Sequence, residues 1–255
     1  MPDLTPATLA NANSAFANGG ATGSLPLVIA KSAIPFIKIS SGTMGNNGAL
    51  SAVTALPRTF SSGAYIYLPA GAIAAGVPVA AAWYWCVFSS TTAGTVYNST
   101  YTSGQPTAGV TTAFATTGPG AFTGDTNALT AVSVTVPAGT MGVNSRIEVD
   151  AAWSGNNTAG NKFAKTLFGA APMLSTLITT AGSIVSTSAA QNRGVLTAQA
   201  TSFLFSNGSS ASQGAVNATD GAENTANAVA VTIGVGCSVA TDNDILESYE
   251  IRLIP

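Results

Sequence analysis

Beyond residue 40 the chain alternates apolar and polar positions with a period of two, which predicts strands that bury one face. In AVSVTV, Val132, Val134 and Val136 share one face and Ser133 and Thr135 the other. RIEVDA sets Ile147 and Val149 inward and Arg146, Glu148 and Asp150 outward, on what reads as an exposed edge strand. SYEIRLIP sets Tyr249, Ile251 and Leu253 against Glu250 and Arg252. VAVTIGVGCSV lines up Val229, Val231, Ile233, Val235, Cys237 and Val239 against Ala230, Thr232, Gly234, Gly236 and Ser238. So small a second face, with glycine inside a strand, predicts close approach of another backbone. AWYWCVF is bulky on both sides, with Trp83, Trp85 and Val87 facing one way and Tyr84, Cys86 and Phe88 the other. It reads either as a central strand covered on both faces or as a strand with one face in the core and one at a subunit contact. Asn47-Gly48 and Asn207-Gly208 predict two-residue hairpins, because Asn and Gly tolerate the positive φ of a type I′ turn.

The first forty residues differ. Thr5 as N-cap and Pro6 at the first helical position predict a short helix that Gly19-Gly20 ends. LPLVIAKSAIPFIKIS, cut by Pro26 and Pro35, has little of its own to pack on and reads as an arm whose Leu27, Ile29 and Phe36 dock elsewhere. Later in the chain, strand, Pro-Ala-Gly corner, loop, long strand and polar turn follow in the same order twice, around Pro69 to Gly71 and Pro137 to Gly139. The expectation is an all-β antiparallel sandwich of two tandem units: arm 1–40, first unit 41–118, second unit 119–255. The phrase Gly-Thr-Met-Gly-x-Asn, at Gly42 to Asn47 and Gly139 to Asn144, repeats at a different offset. It reads as recurrent turn chemistry in which glycine supplies positive φ.

Composition sharpens this picture. Charged residues make up 7% of the chain, against about 25% in an ordinary domain, and none lies between Arg58 and Asp125. A surface of Ser, Thr, Ala and Gly suits faces covered by identical subunits, since covering them desolvates no ions. A net charge of -2 without a basic stripe speaks against nucleic acid as a partner. The uncharged run from Tyr65 to Phe88 is long enough to span a bilayer, but Pro69, Gly71, Gly76 and Pro78 make it two strands joined by a loop. Membrane insertion is therefore not expected, and the N-terminus lacks the pattern of a secretory signal. Cys86 and Cys237 read as buried thiols, with a disulfide open only if their strands meet.

Candidate chemistry is sparse. The absence of histidine removes Ser-His-Asp and Cys-His catalysis and His-ligated zinc. No serine lies three residues before a lysine, and no glycine cluster ends in Gly-Lys-Ser/Thr. Asp242, Asp244 and Glu247 match a calcium loop only loosely and read as a solvated loop. Asn98, Asn156, Asn207 and Asn217 start sequons of the kind so Asn-, Ser- and Thr-rich a chain produces by chance. No catalytic residue, metal ligand or cofactor is assigned.

VPAGTMGVNSRIEVDAAWSGNNTAGNKFAKTLFGA and YLPAGAIAAGVPVAAAWYWCVFSSTTAGTVYNSTYTSG resemble jelly-roll-like virion proteins of tailed bacteriophages, over roughly Ile39 to Gly169. The resemblance implies a trimeric, non-enzymatic structural protein, assembled in the host cytoplasm and displayed on the virion as a decoration, head fibre or tail appendage. It also implies an N-terminal segment docked on other capsid or tail proteins. Subunit or virion contacts would then involve Leu27, Ile29, Phe36, Trp83, Trp85, Gly234 and Gly236. A tail-fibre module is the alternative, with Tyr97, Tyr101 and Trp153 stacking on a host surface glycan. A double jelly-roll major capsid protein is another, and a polysaccharide depolymerase ranks last.

Overall fold

The computed structural model describes residues 26–68, 81–100, 120–123, 128–142, 144–156, 160–179, 182–192, 198–199, 205–206, 223–239 and 241–254. The expected Thr5 helix, the Pro69 corner, Tyr101 and the Asn207-Gly208 hairpin lie outside the described residues.

The chain is an all-β sandwich. Its earlier strands are β1 (Leu27–Ser32), β2 (Phe36–Lys38), β3 (Ser41–Met44), β4 (Ala49–Ser51), β5 (Ala64–Leu68), β6 (Ala82–Phe88), β7 (Gly94–Thr100) and β8 (Gly120–Thr123). The later ones are β9 (Leu129–Val136), β10 (Arg146–Gly155), β11 (Asn161–Phe168), β12 (Ala171–Thr179) and β13 (Ser183–Asn192). Short β14 (Ala198–Gln199) and β15 (Phe205–Ser206) precede β16 (Val229–Val235) and β17 (Asp244–Ile254). A 13-stranded sheet runs β14-β13-β10-β17-β2-β5-β6-β7-β4-β3-β8, with β1 on β17 and β15 on β13. A 4-stranded sheet, β12-β11-β16-β9, packs against it. Among the described residues the strand pairings are antiparallel except β2 with β5, where Phe36 and Ile37 run parallel to Tyr65 and Ile66.

Two cores result, one on each face of the long sheet. The first lies between the sheets and holds Trp153, Ile147, Val149, Ile251, Val231, Ile233, Phe168 and Ile178. The second holds Ile37, Met44, Leu50, Phe60, Ile66, Cys86, Phe88, Val96 and Ile245. Period-two alternation connects them: Phe36, Tyr65, Trp83 and Leu246 enter the first core, and their neighbours Ile37, Ile66, Tyr84 and Ile245 enter the second. The bulky strand β6 is therefore covered twice by its own chain. The hairpin expected within Tyr65 to Phe88 forms, with Ala64 opposite Cys86 and Leu68 opposite Ala82.

Several expectations are corrected. Residues 27 to 38 are no free arm. β1 and β2 are two pieces of one line, interrupted at Pro35, that pairs along β17 from Leu253 to Asp244. The pairing partner lies at the other end of the sequence, so a local reading of residues 1–40 found nothing for it to pack on. The long sheet also crosses the expected boundary at 118–119, because β17, β2 and β5 are consecutive in it. β10 is not an edge, since β13 and β17 flank it. The two Pro-Ala-Gly phrases serve different connections: β5 and β6 pair within one sheet, whereas β9 and β10 belong to different sheets.

The repeated Gly-Thr-Met-Gly-x-Asn phrase has a common physical core. Met44 and Met141 are both buried, and Asn47 and Asn144 both take left-handed backbone, φ 56 and 69. The shared left-handed position is the asparagine, which tolerates it through its short polar side chain, and glycine has positive φ there only at Gly139 of the second copy. Around Asn47 and Gly48 the β3–β4 hairpin does form, but Met44 pairs with Leu50, so its loop is longer than two residues.

Candidate functional site

One end of the sandwich interior holds ionisable groups, among them two carboxylates that the sequence reading put in a solvated loop. Lys38, Lys162, Asp242 and Asp244 are all buried, at 1%, 0%, 0% and 0% exposure. Lys38 and Asp244 face each other on β2 and β17, and Gly155 of β10 lies on the other side of Asp244. Lys162 enters from β11 in the facing sheet, opposite Cys237. Gly155 makes room for it: a Cβ there would stand 2.5 Å from Lys162 Cδ and 2.9 Å from the Asn243 carbonyl. At Gly160 a Cβ would collide with the Asp242 carboxylate. Two basic and two acidic side chains stand together there, so neither kind is buried without a counterpart of the other, which would be strongly disfavoured.

Asp244 is held tightly by backbone. Its Oδ2 accepts the Gly236 N–H at 2.6 Å, while Oδ1 has no hydrogen-bond partner among the described residues. Burial raises its pKa to about 8, against the lowering influence of the Gly236 and Ile245 N–H groups and of Lys38 and Lys162. Burial likewise pushes the Cys237 thiol up to about 12, with Asp244 and Asp242 adding to the rise and Lys38 and Lys162 opposing it. Cys237 Sγ donates to the Asp242 carbonyl at 3.5 Å. Both cysteines are unpaired and buried, and burial raises the Cys86 thiol too. Asn243 and Asn156 surround the charges with amides. Asn243 N donates to Asn156 Oδ1 at 2.7 Å, and Asn243 Nδ2 donates to the Thr54 carbonyl at 2.7 Å. Among the described residues no three His, Cys, Asp or Glu side chains are grouped to hold a metal ion.

Asp242 to Glu247 is thus not a solvated loop: it starts the last strand, inside. Strand period carried the clue. In NKFAKTLF, Lys162 and Lys165 fall on opposite faces, so a strand with one buried face must bury one of them. In FIKIS, Lys38 shares the face of Phe36.

The second feature is the outer face of the 4-stranded sheet. Phe163 stands beside Leu177, Lys165 beside Ser175 and Gly234, and Leu167 beside Thr232 and Pro172. Thr232 and Ala230 continue to Ser133 and Thr135 on β9. Among the described residues Leu177 is an exposed large apolar side chain, as are Val185 and Val239. Lys165 is the one charged residue on this face among the described residues. Among the described residues several other surface charges engage one another. Arg146 meets Glu148 at 2.7 Å, Arg252 meets Glu148 and Asp150, Lys31 meets Glu250 at 3.5 Å, and Arg58 meets Glu247 at 2.5 Å. No helix among the described residues is long and apolar enough to cross a membrane.

The expected contact residues separate into three groups. Ile29, Phe36, Trp83 and Gly236 are buried in the chain's own interior and present nothing to a neighbour. Phe36 stacks on Tyr65 at 5.1 Å and meets Trp83 edge-on at 5.4 Å. Gly236 does mark a close backbone approach, but to the same chain: a Cβ there would stand 2.8 Å from Ala128 Cα. Leu27 and Trp85 are half-buried against the first core, and Gly234 alone lies on the outer face just described. Of the residues assigned to a glycan, Trp153 is fully buried and stacks on no sugar; Tyr97 on β7 is half-buried. Trp153 sits on the inward face of β10 and shares no exposed surface with Tyr97.

In comparisons with known proteins the chain matches no protein-family model, no curated protein and no solved structure.

Proposed function

We propose that this chain is a non-enzymatic structural subunit of a tailed-bacteriophage virion, jelly-roll-like, displayed on the particle as a capsid decoration, fibre or tail-associated protein. It associates with itself as a trimer, and the outer face of the 4-stranded sheet is where a second copy covers it. The observation that supports this reading is the character of that face. Phe163, Leu167 and Leu177 rise from a floor of Gly234, Ala230, Thr232 and Ser133, with Lys165 as its charge. Such a surface is removed from water at little electrostatic cost, and its large side chains gain about 25 cal/mol for each Å² of apolar area covered. The strand-corner phrases that resemble phage virion proteins favour the same reading. What the described residues hold buried and ionisable is the group Lys38, Lys162, Asp242 and Asp244.

Sedimentation of the purified protein tests the assembly. The expected mass is that of a trimer, and Thr232→Arg, which places a second cation on the covered face, should reduce it to a folded monomer. Mass spectrometry of purified virions tests the location. A wild-type monomer in dilute solution, or a protein missing from particles, would overturn the reading.

A further inference from the structure

We propose that Lys38 Nζ and Asp244 Cγ join in an intramolecular amide bond, a covalent clamp between β2 and β17 that the chain forms from its own side chains. The proposal concerns the fold itself and does not depend on the virion reading.

Four observations place the reactants. Lys38 and Asp244 are direct cross-strand partners, and such residues hold their Cβ atoms about 4.5–5.5 Å apart on one face. Both are excluded from water, at 1% and 0% exposure. The Asp244 carboxyl is asymmetric: Oδ2 accepts the Gly236 N–H at 2.6 Å, and Oδ1 is unpartnered among the described residues. A second buried carboxylate, Asp242, belongs to the same cluster, since both carboxylates and both lysines act on Cys237.

These positions supply each part of a condensation. Lys38, as the neutral amine, attacks Asp244 Cγ and the N–Cγ bond forms. Negative charge that develops on Oδ2 meets the Gly236 N–H, a fixed donor in a dry site. The Cγ–Oδ1 bond breaks, and Oδ1 leaves with the proton lost by nitrogen, carried through Asp242, as one molecule of water. The elements of water are all that is released, and neither an oxidant nor a cofactor is consumed. The raised pKa of Asp244, about 8, keeps the carboxyl in the neutral form that can lose hydroxyl at neutral pH. Proximity and enclosure supply what is otherwise a slow reaction, because the two groups are held together in one folded geometry. The result staples β2 to the last strand of a chain whose cysteines are both unpaired.

The test is the intact mass of the full-length protein under denaturing conditions. The expected value is lighter than the sequence mass by one water, and proteolysis should release a branched peptide that contains Lys38 and Asp244. Lys38→Arg and Asp244→Ala should each restore the full sequence mass. A wild-type mass equal to the sequence overturns the proposal, and that measurement needs no variant to fold. A water deficit without the branched peptide, or one that persists in Lys38→Arg, overturns it as well.

Discussion

Trp153 on β10 donates its indole N–H to the Gly234 carbonyl at 3.3 Å, across the sandwich from one sheet to the other. Trp83 on β6 does the same to Thr130 at 2.9 Å, and Thr130 and Gly234 are partners on β9 and β16. Their pairing sits at a register shift between Ile233 and Gly234. Bulges loosen ladder hydrogen bonding, and the two indoles supply donors where it is disturbed. The Ala-Ala-Trp phrase that occurs twice in the sequence therefore pins both strands of one facing pair. Trp153→Phe keeps most of the buried area and loses the donor, so it should lower stability by about 1–3 kcal/mol. Trp153→Ala should cost about 3–5 kcal/mol. Urea denaturation reads both, and a Phe variant as stable as wild type would remove the indole bond from the account.

Gly155→Ala should destabilise by about 1–3 kcal/mol, because the new methyl meets Lys162 Cδ and the Asn243 carbonyl in a packed interior. Gly139→Ala is the comparison. Among the described residues nothing lies within 4 Å of a Cβ there, so its φ of 68 is what resists, at about 1 kcal/mol. Thermal melting of the two variants should rank them in that order.

In the Lys38→Arg chain Asp244 keeps a free carboxyl, and stability should fall as pH rises. Its pKa is raised by burial from 3.8 to about 8, so between those values the folded state binds the proton that the unfolded state has lost. The stabilisation is complete below the unfolded value and is lost through the folded one. Denaturation midpoints at pH 5 and pH 8 should differ, with pH 5 higher, and Asp244→Asn in the same background should flatten the difference.

Cys86 and Cys237 should resist alkylation in the native protein and react only on unfolding. Both are buried, and burial raises both thiols, Cys237 to about 12, so little thiolate exists at neutral pH. Thiol titration with and without denaturant checks this, and reductant should leave the unfolding midpoint unchanged.

The strands were legible wherever one face is apolar and the other polar: Ile147 and Val149, Val229 to Val235, and Tyr249 to Leu253 all lie as their alternation requires. Pairing was not legible. Phe36 and Ile37 give no local sign that they lie between Leu246 and Tyr65, because period two fixes a face and not a neighbour. The buried cluster was missed for another reason. Charge ordinarily marks the surface, and only the two-sided geometry of β11 and β2, read together, shows that Lys162 and Lys38 cannot both escape inward positions. Trp153 was misjudged because a polar loop follows it, while its own strand faces it inward.

The register of Leu27 opposite Leu253 sets the mechanical polarity of the sandwich. Tension applied at these two positions in opposite directions would peel β1 from β17 one hydrogen bond at a time, a mode that yields at low force. The peeling front would travel past Ser32 and Pro35 and halt at Lys38 if a covalent link to Asp244 is in place. A tethered molecule would then lengthen by a fixed amount under load and hold.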